Sequence, residues 1–333
     1  MEVLITGGAG FLGSKLALKL LERGTLAGKG GQPEPITRIV LFDQIAAPTF
    51  SDPRIVPVKG DVSDPAAIAA VLTPATQSVF HLAAAVSGES ESDFDLGMRA
   101  NLDSTRYLLE RARSNGNSPR FVFTSSVAVF GGDLPAIVLD NTPANPQGSY
   151  GVQKAMCELM VSDYTRKGFV DGRSIRLPTV TVRPGKANKA ASSFASGLIR
   201  EPLNGIRAQC PVPPDTRMWV ISPRSAVYNL IHAHELDHSA FAQAGAVNLG
   251  GISVTVQEMV DAMERVSGSE PLKLIDWNED ANVLKLVRTW PGNFATTRSD
   301  QMGFVRDQNF EDIVRHYLDD DFSPGSERGA SPN

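Results

Sequence analysis

A tyrosine and a lysine stand four residues apart in Tyr150-Gly151-Val152-Gln153-Lys154. On a helix that spacing puts both side chains on one face, a turn apart. A free phenol has a pKa near ~10 and is a poor base at neutral pH. An adjacent ammonium, joined by a cationic ring of a bound cofactor, favours the phenolate and lowers that value. The pair can then serve as general acid and base between an alcohol and a carbonyl. The spacing by itself is common by chance. Upstream, Thr124-Ser125-Ser126 closes an apolar run, and a serine there can hydrogen-bond the reacting oxygen. Ser126, Tyr150 and Lys154 are the candidate catalytic residues. Ser125 is placed to touch cofactor or substrate.

A second group of residues suits a dinucleotide. Thr6-Gly7-Gly8-Ala9-Gly10-Phe11-Leu12-Gly13 follows the apolar run Val3-Leu4-Ile5 and opens a helical pattern. Glycines there allow a tight turn and close approach of a pyrophosphate. The helix N-terminus adds unpaired N–H groups and a positive dipole end. Gly7, Gly10, Phe11, Leu12 and Gly13 are candidate contacts, with Gly13 also letting the helix pack on the strand. Asp43 ends a second strand, where a carboxylate can accept both ribose hydroxyls and would repel a 2′-phosphate. Gln44-Ile45-Ala46-Ala47 holds no cation, so NAD is expected over NADP. After a fourth strand, Leu82, Ala83 and Ala84 leave room for the cofactor. His81 is read as structural, because no serine or cysteine nucleophile is near it in sequence.

The elements that must position these groups alternate. Strands are expected at 3–5, 38–43, 55–58, 78–82, 120–124 and 174–183. Helices are expected at 13–22, 64–72 (capped by Asp64, with Pro65 in its first turn), 94–115 and 149–167. Near-continuous apolar strands between helices predict a doubly wound parallel Rossmann sheet in an α/β fold. A smaller, mixed C-terminal substrate domain follows. The expected division is an NAD-binding domain over 1–183, with 227–252 returning to it. The substrate-binding part covers 184–226 and 253–322, and 323–333 is read as a disordered tail. Residues 184–226 read as irregular structure around short helices. Later helices are expected at 227–236, 255–267 and 310–320, and strands at 247–249 and 272–276. The Gly- and Pro-rich stretch 25–35 reads as a surface loop.

Composition narrows the function. A hydrophobic content of 42% in 333 residues excludes a disordered chain. A net charge of −5 excludes a general nucleic-acid binder. The two cysteines, Cys157 and Cys210, cannot make a disulfide scaffold, and no Cys/His spacing suggests a metal. No apolar run reaches the ~18 residues of a membrane span, and the N-terminus enters a strand without a basic leader. A cytoplasmic protein is expected.

Taken together, these residues resemble the extended short-chain dehydrogenase/reductase family over nearly the whole chain. By that resemblance Ser126, Tyr150 and Lys154 match the catalytic serine, tyrosine and lysine. Asp61-Val62 matches the pair that holds the adenine ring, and Asn101 matches an asparagine near the cofactor. Phe130 departs from a tyrosine common in the family, at a position that is not catalytic. Sugar-nucleotide members usually carry Arg-Asp-(Tyr/Phe)-(Ile/Val)-His-Val-Asp-Asp in the substrate half. Here Arg217-Met218-Trp219-Val220-Ile221-Ser222-Pro223-Arg224 lacks the acidic and His positions. The segment 183–194 and Trp290-Pro291-Gly292 resemble the D-erythronate dehydrogenase branch of sugar-acid enzymes. That resemblance implies oxidation of D-erythronate at C2 with reduction of NAD. Arg183, Lys186, Asn188, Ser193, Arg217 and Ser126 are the substrate candidates, and a homodimer is implied. The alternatives are a sugar-nucleotide epimerase or dehydratase that keeps its NAD, and a non-catalytic NAD-binding regulator.

Overall fold

Along β1 (Glu2–Thr6), Val3 and Ile5 enter one apolar core and Leu4 enters another, all three fully buried. A strand with two apolar faces needs cover on both sides, and helices supply it. The computed structural model of the protein describes residues 1–185, 190–242 and 245–322. After β1 come α1 (Phe11–Arg23), β2 (Thr25–Ala27), β3 (Pro33–Pro35), β4 (Arg38–Asp43), β5 (Ile55–Lys59), α2 (Pro65–Val71) and β6 (Thr76–His81). Then follow α3 (Ser87–Ser92), α4 (Phe94–Gly97), a π-helical turn (Met98–Asp103), α5 (Ser104–Asn115), β7 (Arg120–Ser126), α6 (Ser149–Arg166), β8 (Asp171–Leu177) and β9 (Thr179–Val180). The second half holds α7 (Ser193–Leu203), β10 (Ala208–Cys210), β11 (Arg217–Ile221), α8 (Pro223–Glu235), α9 (His238–Ala242), β12 (Ala246–Asn248) and β13 (Ile252–Thr255). It closes with α10 (Val256–Ser267), β14 (Ile275–Trp277), α11 (Ala281–Val287), α12 (Thr297–Gln301) and α13 (Phe310–Asp320).

The main sheet has seven strands in the order β12-β8-β7-β6-β1-β4-β5, and every pairing is parallel. This is the doubly wound sheet that the alternation predicts. One face packs Leu16 and Leu20 of α1 and Leu230 and Ile231 of α8; the other packs Leu108 and Leu109 of α5 and Val161 of α6. A third core joins α7, α10 and α13 to the three-stranded sheet β13-β11-β9. β12 completes the main sheet from late in the chain. Asp64 caps α2 through Ala66 N at 2.8 Å, as its position implies.

Five expectations need correction. The strand expected over 174–183 ends at Leu177; beyond Pro178, which has no N–H to give a ladder, β9 pairs with β11 in the other sheet. The helix expected over 94–115 is interrupted by the π turn at Met98–Asp103, which carries Asn101. The stretch 25–35 is a hairpin, β2 against β3, with Leu26 buried in the first core. Residues 184–226 are more regular than their Pro and Gly content suggests, since α7 and β11 both bury apolar faces there. The strand expected at 272–276 starts only at Ile275, after a 3₁₀ turn at Pro271–Leu274. The tail from Ser323 lies outside the described residues.

Candidate active site

The C-terminal ends of the parallel strands open onto one elongated cavity of about 930 Å³. Its first end is made largely of backbone. Gly7 and Gly10 lie in the turn after β1, and Phe11, Leu12 and Gly13 begin α1; all five line the cavity. A Cβ on Gly13 would stand 2.3 Å from the Gly7 carbonyl oxygen, so only glycine lets this turn close on the helix. Asp43 ends β4 and is held from two sides: Ala9 N donates to Oδ2 at 3.1 Å and Ile45 N to Oδ1 at 3.2 Å. The carboxylate is thereby aimed into the cavity before any ligand arrives. Asp61 and Val62 line the same end, and Asp61 is steadied by Ser63 N and Oγ, both at 2.8 Å. Leu82, Ala83 and Ala84 form the floor between the two ends. A glycine turn at a helix N-terminus, small floor residues and an oriented carboxylate fit NAD.

Asn101 is placed otherwise than expected. It is buried and does not line the cavity. Its Oδ1 accepts from Ala85 N at 2.8 Å, and its Nδ2 donates to Ala85 O and to Gln153 Oε1. It ties the loop after β6 to α6, and so shapes the floor without reaching into it. His81 is likewise a brace, between Thr6 Oγ1 at 2.7 Å and Thr105 Oγ1 at 2.9 Å. Burial, with the Lys154 charge nearby, drives its pKa down to about 3, so the ring stays neutral.

At the other end, α6 presents Tyr150 and Lys154 to the cavity, and the loop after β7 presents Ser126. The close approach of these two elements depends on Gly151: a Cβ there would lie 2.1 Å from Ala128 O. Sequence reasoning passed over this glycine, although its place beside the tyrosine was a signal. Lys154 Nζ donates to Thr124 O at 2.8 Å and lies 5.7 Å from the Tyr150 ring centroid. Burial lowers its pKa to about 8, against the raising influence of Cys157 and Glu158. The phenol behaves differently from the expectation. Burial pushes Tyr150 up to about 12, and the Ser126 hydroxyl and the Arg183 charge pull it back only in part. The chain alone therefore keeps Tyr150 protonated; a bound cationic nicotinamide would supply part of the positive charge a working base needs. Ser125 lines the cavity, but its hydroxyl donates to Glu158 beneath the site.

The substrate candidates separate clearly. Arg183 lines the cavity next to Tyr150. Ser196 Oγ on α7 accepts from its backbone N at 3.0 Å, and Arg200 Nη1 donates to its carbonyl at 2.7 Å. Its Nη2 is buried with no hydrogen-bond partner among the described residues. Burial, with Arg200 close by, lowers its pKa to about 10. Arg217 does not reach the cavity. It is half exposed at the start of β11, paired with Ser253 Oγ at 3.3 Å and Glu258 at 3.8 Å. Ser193 starts α7 outside the lining, while its neighbour Ser192 lies within it. Lys186 and Asn188 lie outside the described residues. Trp290 lines the cavity, whereas Trp219 is a packing residue against Phe294. Ser87 and Thr179 also line this end and carried no sequence signal. Ala191 N donates to Ser87 Oγ at 3.2 Å, joining the two sides of the cavity.

An NAD site that ends on a tyrosine–lysine pair and a serine defines an NAD-dependent oxidoreductase acting on a CH–OH group. The profile of the NAD dependent epimerase/dehydratase family matches residues 3–234, and the chain belongs to that family. It is 52% identical to a D-erythronate dehydrogenase of Cupriavidus necator over 320 residues, 96% of this chain and 98% of that one. A D-erythronate dehydrogenase of Haemophilus influenzae is 42% identical over 323 residues, 96% of this chain and all of the other (100%). Among solved structures, one described as the nucleoside-diphosphate-sugar epimerase from Agrobacterium tumefaciens superposes with a TM-score of 0.89. It is 39% identical, covering 99% of this chain and 95% of that one.

Proposed function

We propose that this chain oxidises D-erythronate at C2 to the 2-oxo acid, with NAD as the oxidant. The observation that carries the reading is Arg183, a half-buried side chain on the cavity wall beside Tyr150, whose inaccessible Nη2 has no hydrogen-bond partner among the described residues. A cation so placed suits a carboxylate, through charge-assisted hydrogen bonds. A carboxylate held there presents its neighbouring C2 hydroxyl to Tyr150 and Ser126. Tyr150, once ionised, takes the hydroxyl proton, and Ser126 hydrogen-bonds the same oxygen as it becomes a carbonyl. Gly7, Gly10, Gly13 and Asp43 would hold NAD, which when bound would supply the hydride acceptor for C2. The Lys154 ammonium favours the phenolate and would donate to the ribose of a bound NAD. Residues 184–226 and 253–322 supply the substrate side of the cleft in this reading.

Two further parts of the reading concern the setting. Phe94 is 60% exposed near the start of the interrupted helix, and Leu159 is 73% exposed on α6. These two helices are the surface by which two copies pair. A cytoplasmic location agrees with two buried free thiols, Cys157 and Cys210, and no described helix is long and apolar enough to cross a membrane. The test of the activity is a side-by-side assay of D-erythronate, L-threonate, glucuronate and UDP-glucose with NAD. NADH formation on the four-carbon acid is the expected result. Turnover of UDP-glucose with none on the free acids overturns the reading in favour of an epimerase.

A further inference from the structure

We propose that Glu158 is a positioning residue that holds the Lys154 ammonium from beneath the active site. It deepens the proposed function and rests on Tyr150 and Lys154 as the proton-handling pair. Tyr150, Lys154 and Glu158 follow one another at four-residue steps on α6, so the carboxylate is one turn below the lysine on the same face. It is nearly inaccessible, with 8% of its side chain exposed. Arg176 on β8 grips it with both arms, Nε to Oε1 at 2.8 Å and Nη2 to Oε2 at 2.7 Å. Ser125, at the end of β7, donates to Oε1 as well. Arg176 Nη1 then reaches Asn248 Oδ1 on β12 at 3.2 Å. Its guanidinium also lies 4.8 Å from the Phe130 ring centroid, in the loop that follows Ser126. One carboxylate is thus tied to three adjacent strands at the edge where the catalytic groups stand.

This arrangement is more than packing needs. A buried ion pair is rarely worth more to stability than an apolar pair of similar volume, so a function in charge placement is the stronger reason for it. Several groups face Lys154. From β7 come the Thr124 carbonyl, which accepts from its Nζ, and the Phe123 ring at 4.8 Å; from β6 comes His81, held neutral. α6 itself contributes Tyr150, Cys157 and Glu158. Arg183 lies beyond Tyr150 and Arg176 beyond Glu158. In that set Cys157 and then Glu158 oppose the burial that drives protons off the lysine, and Glu158 is the carboxylate of the two. Without it, Lys154 loses its proton at lower pH, and the phenolate loses its partner.

The test compares wild type, Glu158→Gln, Glu158→Asp and Arg176→Gln. Two quantities are read: the alkaline limb of kcat/KM against pH, and the titration of Lys154 Nζ followed by ¹⁵N NMR in cofactor-free protein. Lys154 and Glu158 form no direct ion pair; the carboxylate acts across one turn of α6, and an opposite charge on the same helix face favours the ammonium. Glu158→Gln should move both quantities down by about one pH unit. Arg176→Gln, which leaves the carboxylate unneutralised, should move them up, and Glu158→Asp should stay near wild type. If the variants lower kcat and Tm at every pH while the limb and the Lys154 titration stay in place, Glu158 is only a brace and the proposal fails. Where Glu158→Gln does not fold, the direction of the Arg176→Gln shift decides alone, and no shift there overturns it. Tyr150→Phe separates the two readings: if it keeps its turnover while Lys154 still responds to Glu158, the proposed chemistry fails and the positioning does not.

Discussion

The two ends of the cavity are built by different means. The cofactor end is mostly backbone: a glycine turn, the first turn of α1 and small residues after β6, all from short local stretches. Side chains matter there mainly as oriented points, as with Asp43 held by Ala9 and Ile45. The substrate end is an assembly of side chains from distant elements. Ser126, Tyr150, Arg183 and Trp290 come from four separate segments, and Arg183 is set by α7 rather than by its own neighbours. Backbone recognition tolerates change around it and suits a cofactor shared by many enzymes. Side-chain assembly can be varied residue by residue, and specificity therefore belongs at this end.

The sharpest break between the ends is Tyr150→Phe. It removes a proton carrier and leaves the cofactor end untouched. Turnover should fall by about 10²–10⁴-fold, with NAD affinity by titration within a few-fold of wild type. A variant with near-normal kcat would remove Tyr150 from the chemistry. Next in size is Arg183→Ala. Truncating one partner of a buried charge pair costs about 2–5 kcal/mol, so kcat/KM for the sugar acid should fall by about 30-fold or more, with NAD binding unchanged. Arg217→Ala, at the start of β11 and away from the cavity, should stay near wild type in the same assay. The reverse ranking would move the carboxylate site to Arg217.

Asp43→Asn tests the cofactor end in return. Hydrogen bonds to a charged group contribute about 1.5–3 kcal/mol, so the preference for NAD over NADP should drop by about tenfold or more, while the ranking of sugar acids stays as it was. A change in sugar-acid ranking instead would show that the two ends are not separable. The smallest effect is on stability. His81 and His234 are held neutral by burial, at about 3 and about 4 against 6.5 when free. The unfolded chain takes up these protons first, so stability falls as pH drops from about 6.5 towards 4. Thermal melting between pH 7 and 4.5 should show a declining Tm, and His81→Gln, which keeps a polar side chain for Thr6 and Thr105, should flatten part of that decline.

The same contrast explains what could be read from the residues in order. Gly7, Gly10 to Gly13, Asp43 and the Tyr150–Lys154 pair sit in short motifs whose strand–turn–helix setting is local, and all line the cavity. Asn101 was matched by motif, yet its side chain turns to Ala85 and Gln153, because a π turn rotates that stretch of helix. Arg183 and Arg217 looked alike in the sequence. The fold separates them: Arg183 is half-buried on the cavity wall, and Arg217 is exposed away from it. The rise in the Tyr150 pKa was not legible either, since burial is a property of the assembled cleft. Glu158 was within reach, being one more four-residue step along the face that carries Tyr150 and Lys154.

The most direct measurement follows the hydrogen itself. D-erythronate carrying deuterium at C2 is incubated with the enzyme and NAD, and both products are analysed by mass spectrometry and NMR. Oxidation at C2 predicts one deuterium in each reduced nicotinamide formed and a 2-oxo acid without label. Deuterium retained in the sugar acid, or turnover of a sugar nucleotide with no net NADH, would contradict it.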